Sequence, residues 1–189
     1  SLGNMGVGEG GGELVKQLLQ NTWDINAPEV VLVWLEGTPR HGIGPHDVAI
    51  SLVKAVFESG FVKNKVLEFA GPGVASLSVD FRNGIDVMTT ETTCLSSIWI
   101  TDDKVREHYE LHRRPECYKE LRPGKVAYYD SMVRIDLSKQ ESMIALPYHP
   151  SNAVSIHELQ ADPEGVLRRV EEDTKRRFGS KVHPDLMSK

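Results

Sequence analysis

The chain has 189 residues, 40% hydrophobic and 26% charged, which is ordinary for one globular core or two small ones. Its net charge of −5 and pI near 5.8 argue against a surface for nucleic acid or anionic membranes, because phosphate binding needs concentrated positive charge. No apolar run approaches the roughly 18 residues that span a bilayer, and no signal peptide is recognisable. We therefore predict a cytoplasmic protein.

The first elements in chain order are a glycine-rich loop and a helix, in SLGNMGVGEGGGELVKQLL at residues 1–19. Because such loops normally follow a strand, we expect the chain to be a piece of a longer protein. The next element, EVVLVWLEG at residues 29–37, is a nearly continuous apolar run. This composition is typical of a strand that is covered on both faces.

From here helices and strands alternate. The segments in order are a turn-rich linker (38–47), a helix that starts at Gly44 and Pro45 and stops at Gly60, a strand (65–71), the turn GPGV (71–74), a serine-capped helix (78–90) and a strand (96–101). Such alternation places helices against a parallel or mixed sheet. It predicts an α/β fold, a three-layer α/β/α unit with a mostly parallel or mixed sheet.

The last third of the chain is more polar. Its predicted elements are a helix with an Asp-rich first turn (102–121), two short strands (132–138 and 142–147), a proline-bearing linker (148–155) and an amphipathic helix (162–179).

One segment combines an acid with many hydroxyl groups. DVMTTETTCLSS, residues 86–97, places Glu91 among threonines and serines, and β-branched threonines form helices poorly. The segment therefore predicts the frayed end of a helix that leads into a strand, a place where α/β proteins position site residues. The alternative is structural: a carboxylate that is hydrogen-bonded to threonine hydroxyls at an ordinary helix end.

The glycines of the N-terminal loop match a dinucleotide-binding pattern only weakly. Gly6, Gly8 and Gly11 have the right spacing, but no strand precedes them and Glu9 would repel a pyrophosphate. A tight loop at a helix entry is the favoured interpretation.

Metal-binding patterns are equally incomplete. His108 and His112 lie one helical turn apart and lack a third ligand, which favours a solvated helix face. Cys94 and Cys117 are the two cysteines, and a cubane iron–sulfur cluster needs at least three protein thiolates. We predict free, buried thiols in a reducing compartment and no metal in this chain.

Several motifs in a fixed order carry a family resemblance. GIGPHDVAISLVKAVFESGFVKNKVLEFAGPGVASLSVDFRNGIDVMTTETTCLSS, residues 42–97, contains P-x-D-V at Pro45–Val48, GPGV at Gly71–Val74 and the glutamate Glu91. Together with the loop at residues 6–19 and RIDLSKQESMIALPYHPSN at residues 134–152, it resembles the aconitase superfamily of iron–sulfur hydro-lyases. The likeness covers roughly residues 2–160 and is greatest to bacterial aconitase-type hydratases.

The resemblance implies a domain organisation. Residues 1–36 would be the remnant of a first aconitase-like domain, residues 37–150 a second α/β domain, and residues 151–189 a linker and helix toward a third domain. The full-length protein would dehydrate and rehydrate a small hydroxy-carboxylic acid with a [4Fe–4S] cluster, whose cysteine motifs are not matched here. The isolated chain would then hold no cluster and be inactive.

The resemblance also implies a catalytic role for Glu91, because the matching glutamate of aconitases manages the proton and hydroxyl of the substrate. Hydroxyl groups of Thr90, Thr92, Thr93 or Ser96 are candidates for holding it. Val87 stands where aconitases have an asparagine. We therefore expect the substrate to be bound differently from citrate.

Two other functions remain open from the sequence. One is a non-catalytic binding or scaffolding module that retains the fold. The other is RNA binding, known for some aconitase relatives, which the acidic composition disfavours. Substrate identity, other substrate-binding residues and oligomeric state are not predicted.

Overall fold

A computed structural model describes residues 3, 5–7, 10–179, 182 and 184–186. Its helices are α1 (Gly11–Gln20), α2 (Pro45–Val56), α3 (Val79–Asp86), α4 (Asp103–Leu111), α5 (Ile156–Ala161) and α6 (Pro163–Phe178). Its strands are β1 (Val30–Glu36), β2 (Val66–Ala70), β3 (Ser96–Trp99), β4 (Ser131–Asp136), β5 (Met143–Ala145) and β6 (Ala153–Ser155). Among these helices, none is long and apolar enough to cross a membrane.

The main sheet has the order β3-β2-β1-β4, and all of its strand pairs are parallel. Parallel neighbours need crossover connections, which α2 supplies between β1 and β2, and α3 between β2 and β3. β5 and β6 form a separate antiparallel hairpin. The predicted α/β class with a mostly parallel sheet is confirmed.

The core lies on one face of this sheet. Val31, Val33 and Leu35 of β1 are fully buried, in one cluster with side chains of β2 and α2. The alternate side chains of β1 are only partly buried. The second face of β1 is thus covered less completely than the first, and the expected covering of both faces is complete only on the core side.

The first domain boundary predicted from the sequence falls at the end of β1. β1 pairs with both β2 and β4, so residues 30–36 belong to the same sheet as the predicted second domain. The assignment of residues 1–36, 37–150 and 151–189 to three domains of a larger protein stays a prediction.

The GPGV turn follows β2 as a 3₁₀ turn, Pro72–Ser76, and crosses close to the backbone of β1. Gly71 has φ +107°, and a Cβ atom there would lie 2.5 Å from the carbonyl oxygen of Leu35. A Cβ atom on Gly73 would lie 2.8 Å from the carbonyl carbon of Leu35. Both glycines are needed because only a bare Cα fits against the strand.

The P-x-D-V motif at the start of α2 connects two elements. Oδ2 of Asp47 accepts a hydrogen bond from the backbone N–H of Gly44 at 2.7 Å, which caps the helix. Oδ1 accepts one from the backbone N–H of Met143, also at 2.7 Å. One carboxylate thereby fixes β5 against the N-terminus of α2.

A buried cation joins α3, the GPGV turn and α4. Arg82 is 1% exposed; its Nη2 donates to the carbonyl oxygens of Val74 and Leu77, each at 3.1 Å. Both terminal nitrogens also bond Asp102, at 3.0 and 2.5 Å. Asp102 in turn caps α4 by accepting from the N–H of Val105. Burial is the largest single influence on the pKa of Asp102 and raises it, but the hydrogen bond and charge of Arg82, the N–H of Val105 and the charge of Lys104 together outweigh burial and lower the pKa.

The polar helix predicted for residues 102–121 ends early. α4 stops at Leu111, Arg113 takes a left-handed φ of 57°, and Pro115 opens a separate 3₁₀ turn. Proline disfavours a helical conformation in the residue before it, which explains the break.

The linker predicted for residues 148–155 also contains more structure than expected. It includes β6, and α5 follows directly, capped by reciprocal hydrogen bonds between Ser155 and Glu158. This Ser-x-x-Glu capping box was a recognisable sequence signal for a helix start.

The N-terminal helix α1 buries none of its residues, and its apolar side chains Leu14, Val15, Leu18 and Leu19 are exposed. The helix confirms the predicted periodicity. Of the glycine pattern beside it, Gly8 and Glu9 lie outside the described residues, so the pattern as a whole stays untested.

We expect Gly73→Ala to destabilise the fold by about 2–3 kcal/mol, because the new methyl group would overpack the backbone of β1. Urea unfolding with a fixed m-value measures this change. Gly12→Ala is the matched control: nothing lies within 4 Å of its Cβ position, and alanine favours a helix. Equal losses in both variants would contradict the close approach.

We expect Asp102→Asn to cost about 3 kcal/mol, since it leaves the guanidinium of Arg82 buried without its counter-charge. The folded-state pKa of Asp102 is lowered, so its stabilisation is complete above its unfolded pKa of about 3.9 and is lost as the pH falls through the folded value. Asp102→Asn should thus flatten the acid limb of the stability curve. Asp103→Asn, in an exposed pair with Arg106, should change little.

Candidate functional site

Glu91 lies in a short 3₁₀ turn, Thr89–Thr92, between the end of α3 and the start of β3. This is the predicted junction between a frayed helix and a strand. Thr93 then takes a left-handed φ of 64° and turns the chain toward the sheet. The side chain of Glu91 is 45% exposed, which places its carboxylate within reach of solvent.

The expected hydroxyl partners of Glu91 are engaged elsewhere. The hydroxyl of Thr92 donates to the carbonyl of Thr89 at 2.6 Å, and that of Ser96 donates to the carbonyl of Gly6 at 2.6 Å. Thr90 Oγ1 points to the carbonyl of Val87 at 3.5 Å. Each hydroxyl has one proton to donate, so these three of the four candidate hydroxyls do not hold the carboxylate, and the role of the fourth, Thr93, stays a prediction.

The base of the turn is fixed by a polar network under Glu91. Oδ1 of Asp86 accepts from the hydroxyl of Ser97 at 2.6 Å and from Nε1 of Trp99 at 2.9 Å. Thr89 Oγ1 donates to the carbonyl of Asp86 at 2.8 Å. Trp99 also stacks on Phe69 at 4.2 Å between ring centroids. The network attaches the turn to the sheet and leaves Glu91 on the outer side.

The Glu91 carboxylate lies close to a histidine that the sequence analysis missed. Nε2 of His149 lies 3.7 Å from Oε2 of Glu91. The imidazole stacks on Phe57 at the end of α2, with 3.7 Å between ring centroids. His149 is in the loop between β5 and β6, far from Glu91 in sequence, so no local spacing pattern pointed to the pair.

A groove of about 900 Å³ opens beside His149. Its walls come from the end of α2, the loop between β5 and β6, and α6; the side chains include Phe57, His149, Asn152 and Arg169. In the wall of the groove, Arg176 and Arg177 both form ion pairs with Asp173, so part of their positive charge is balanced by a carboxylate of the groove itself. His149 therefore stands between this groove and Glu91.

The groups considered for metal binding do not assemble. Both cysteines are free, as predicted, but each is only partly buried. Burial raises the pKa of the Cys94 thiol, and its Sγ contacts the carbonyl of Thr89 at 3.3 Å, so it is poorly suited to act as a thiolate ligand. His112 hydrogen-bonds through Nδ1 to the carbonyl of His108. Within the described part of the chain, no three His, Cys, Asp or Glu side chains are grouped to hold a metal.

Comparison with known proteins gives the family. A model of the aconitase family (aconitate hydratase) matches residues 1–186. The mitochondrial aconitate hydratase of Aspergillus fumigatus is 29% identical over 161 residues, which are 82% of this chain and 20% of the relative. The 3-isopropylmalate dehydratase large subunit 1 of Thermotoga maritima is 26% identical over 163 residues, 85% of this chain and 38% of the relative. The chain spans less than half the length of these relatives, yet the family model covers nearly all of it: the chain belongs to the aconitase family.

Proposed function

We propose that the chain is part of a hydro-lyase that dehydrates and rehydrates a small hydroxy-carboxylic acid, with Glu91 as an acid–base residue. The family is one of hydro-lyases, and the names of the relatives refer to aconitate and 3-isopropylmalate. The observation that carries the proposal is the state of Glu91, a half-exposed carboxylate on a rigid turn at the position that resembles the catalytic glutamate of the family.

The chemistry suits a carboxyl group. Dehydration breaks a C–O bond and a C–H bond on adjacent carbons and releases water. In the proposed role, protonated Glu91 gives its proton to the departing hydroxyl, and in the reverse direction its carboxylate takes that proton from the adding water. The base that removes the carbon-bound proton is not assigned to this chain.

The family's [4Fe–4S] cluster does not fit the side chains described here. It needs three thiolates, whereas this chain has two cysteines, of which Cys94 is held protonated by its surroundings. In the proposed full-length enzyme the cluster ligands come from residues that are not part of this sequence, and the isolated chain is inactive. The contribution of this chain is the α/β unit that positions Glu91.

Val87 supports a substrate other than citrate bound in the aconitase manner. Its side chain is 66% exposed beside the Glu91 turn. By the family resemblance, aconitases have an asparagine at this position, whereas valine offers only hydrocarbon. A substrate with a less polar group at this point fits better. The two free cysteines agree with a reducing compartment, which supports a cytoplasmic location.

We expect Glu91→Gln in the full-length enzyme to lower turnover by about two to four orders of magnitude, because glutamine keeps the size but cannot transfer the proton. Steady-state kinetics on cluster-loaded protein measures the loss. Folding should stay within about 0.5 kcal/mol of wild type, since the carboxylate is half exposed.

Asp86→Ala is the structural contrast to this variant. It removes the acceptor of the buried Trp99 N–H and should destabilise the fold by about 1–3 kcal/mol. Wild-type turnover in folded, cluster-loaded Glu91→Gln protein would refute the proposed role and favour a non-catalytic binding module.

A further inference from the structure

The loop between β5 and β6 holds a strained residue next to His149. Tyr148 has φ +85°, a conformation that side chains of this size rarely adopt and that persists only where the surroundings enforce it. Its hydroxyl lies 2.6 Å from Oγ1 of Thr174 on α6, and the Arg177 guanidinium lies 5.1 Å from its ring centroid. α6 therefore holds the loop in this shape.

The loop is also closed by its own backbone. The N–H of Leu146 donates to the carbonyl of Asn152 at 2.7 Å, and the N–H of Asn152 donates to the carbonyl of His149 at 2.9 Å. At its base, the N–H of Met143 bonds the Asp47 carboxylate at the start of α2. His149 is thus attached to a fixed frame on both sides.

The surroundings of the His149 ring select one tautomer. Nδ1 lies 3.1 Å from the backbone nitrogen of Ser151, whose N–H can only donate, and 2.9 Å from the Ser151 hydroxyl oxygen, which can donate or accept. Both contacts are hydrogen bonds at once only when Nδ1 accepts. Nδ1 is therefore the acceptor, and the ring proton is on Nε2. Stacking on Phe57 sets the plane of the ring, and Nε2 lies 3.7 Å from Oε2 of Glu91.

We propose that His149 is a positioning residue for Glu91, whose Nε2–H donates to Oε2 of Glu91 when the substrate site is assembled and leaves the other oxygen for proton transfer. This inference rests on the proposed function of Glu91. The gap of 3.7 Å is longer than a hydrogen bond, and catalytic contacts of this kind often shorten only in the loaded enzyme. Residues that orient metal ligands through a hydrogen bond typically contribute ten- to hundredfold to affinity or activity, and we expect an effect of the same order for a residue that orients a catalytic carboxylate.

Two substitutions in the full-length enzyme separate the ring proton from the packing. His149→Phe keeps the stacking on Phe57 and should lower kcat by about tenfold or more with KM nearly unchanged. His149→Gln restores an N–H donor near the Nε2 position and should recover most of the loss. His157→Phe, an exposed histidine on the neighbouring helix α5, is the matched control and should leave kcat unchanged.

The double variant tests whether His149 affects turnover through Glu91. In the Glu91→Gln background, His149→Phe should cause little further loss, because residues that act through one another are non-additive. Full additivity would overturn the inference. So would wild-type kcat in His149→Phe when Glu91→Gln is impaired, a result that leaves the proposed function intact. If Glu91→Gln itself retains full turnover, the proposed function fails instead.

A measurement without turnover covers the case in which a variant folds poorly. Nitrogen-15 NMR of the wild-type imidazoles should show His149 with the proton on Nε2, and its Nε2 signal should shift in Glu91→Gln. It should not shift in Glu164→Gln, where the carboxylate is exposed and pairs with Arg168. A proton on Nδ1, or an Nε2 signal whose chemical shift is unchanged in Glu91→Gln, would overturn the inference.

Discussion

The carboxylate of Asp47 joins helix α2, which is followed by Phe57, to the β5–β6 hairpin, whose loop carries His149. Its two oxygens bond the backbone N–H groups of Gly44 and Met143, which lie almost a hundred residues apart in the chain. The first bond caps α2 and the second fixes the β5–β6 hairpin. Because Phe57 follows α2 and His149 lies in the hairpin loop, this carboxylate is one of the contacts that bring the imidazole and its stacking partner together. The aspartate of the P-x-D-V motif is therefore explained by its two oxygens, each of which accepts a hydrogen bond from a different element.

The sheet and its crossover helices were predictable because their signals are local. Apolar runs bounded by turns gave β1, β2 and β3, and Ser78 at the start of α3 caps it through the N–H of Phe81 as expected. The GPGV turn could be located but not explained from sequence, since the need for Gly73 comes from the backbone of Leu35 on another strand. β6 and α5 were not predicted, because residues 148–155 were interpreted as a proline-bearing linker and the Ser-x-x-Glu helix start at its end was overlooked.

The candidate site was predictable only in part. Glu91 was identified through the family resemblance, and its junction through poor helix formers. Three of the four candidate hydroxyl partners were wrong; Thr92, for example, reaches the carbonyl three residues back more easily than a neighbouring side chain. His149 could not be found, because its approach to Glu91 depends on hairpin packing and on the enforced backbone of Tyr148. Contacts between distant segments are set by tertiary structure, which local propensity does not encode.

In the proposed reaction, the polar side chain next to Val87 in sequence is not available to bind the substrate. Asp86 precedes it directly, yet its Oδ1 is occupied by the Ser97 hydroxyl and the Trp99 indole. Turning this carboxylate toward a substrate would leave the buried indole N–H without its acceptor, at a cost of about 1–3 kcal/mol. Asp86 therefore does not replace the asparagine that aconitases have at the next position. A substrate group that meets Val87 meets a hydrocarbon surface, and its polar contacts have to be supplied by another element.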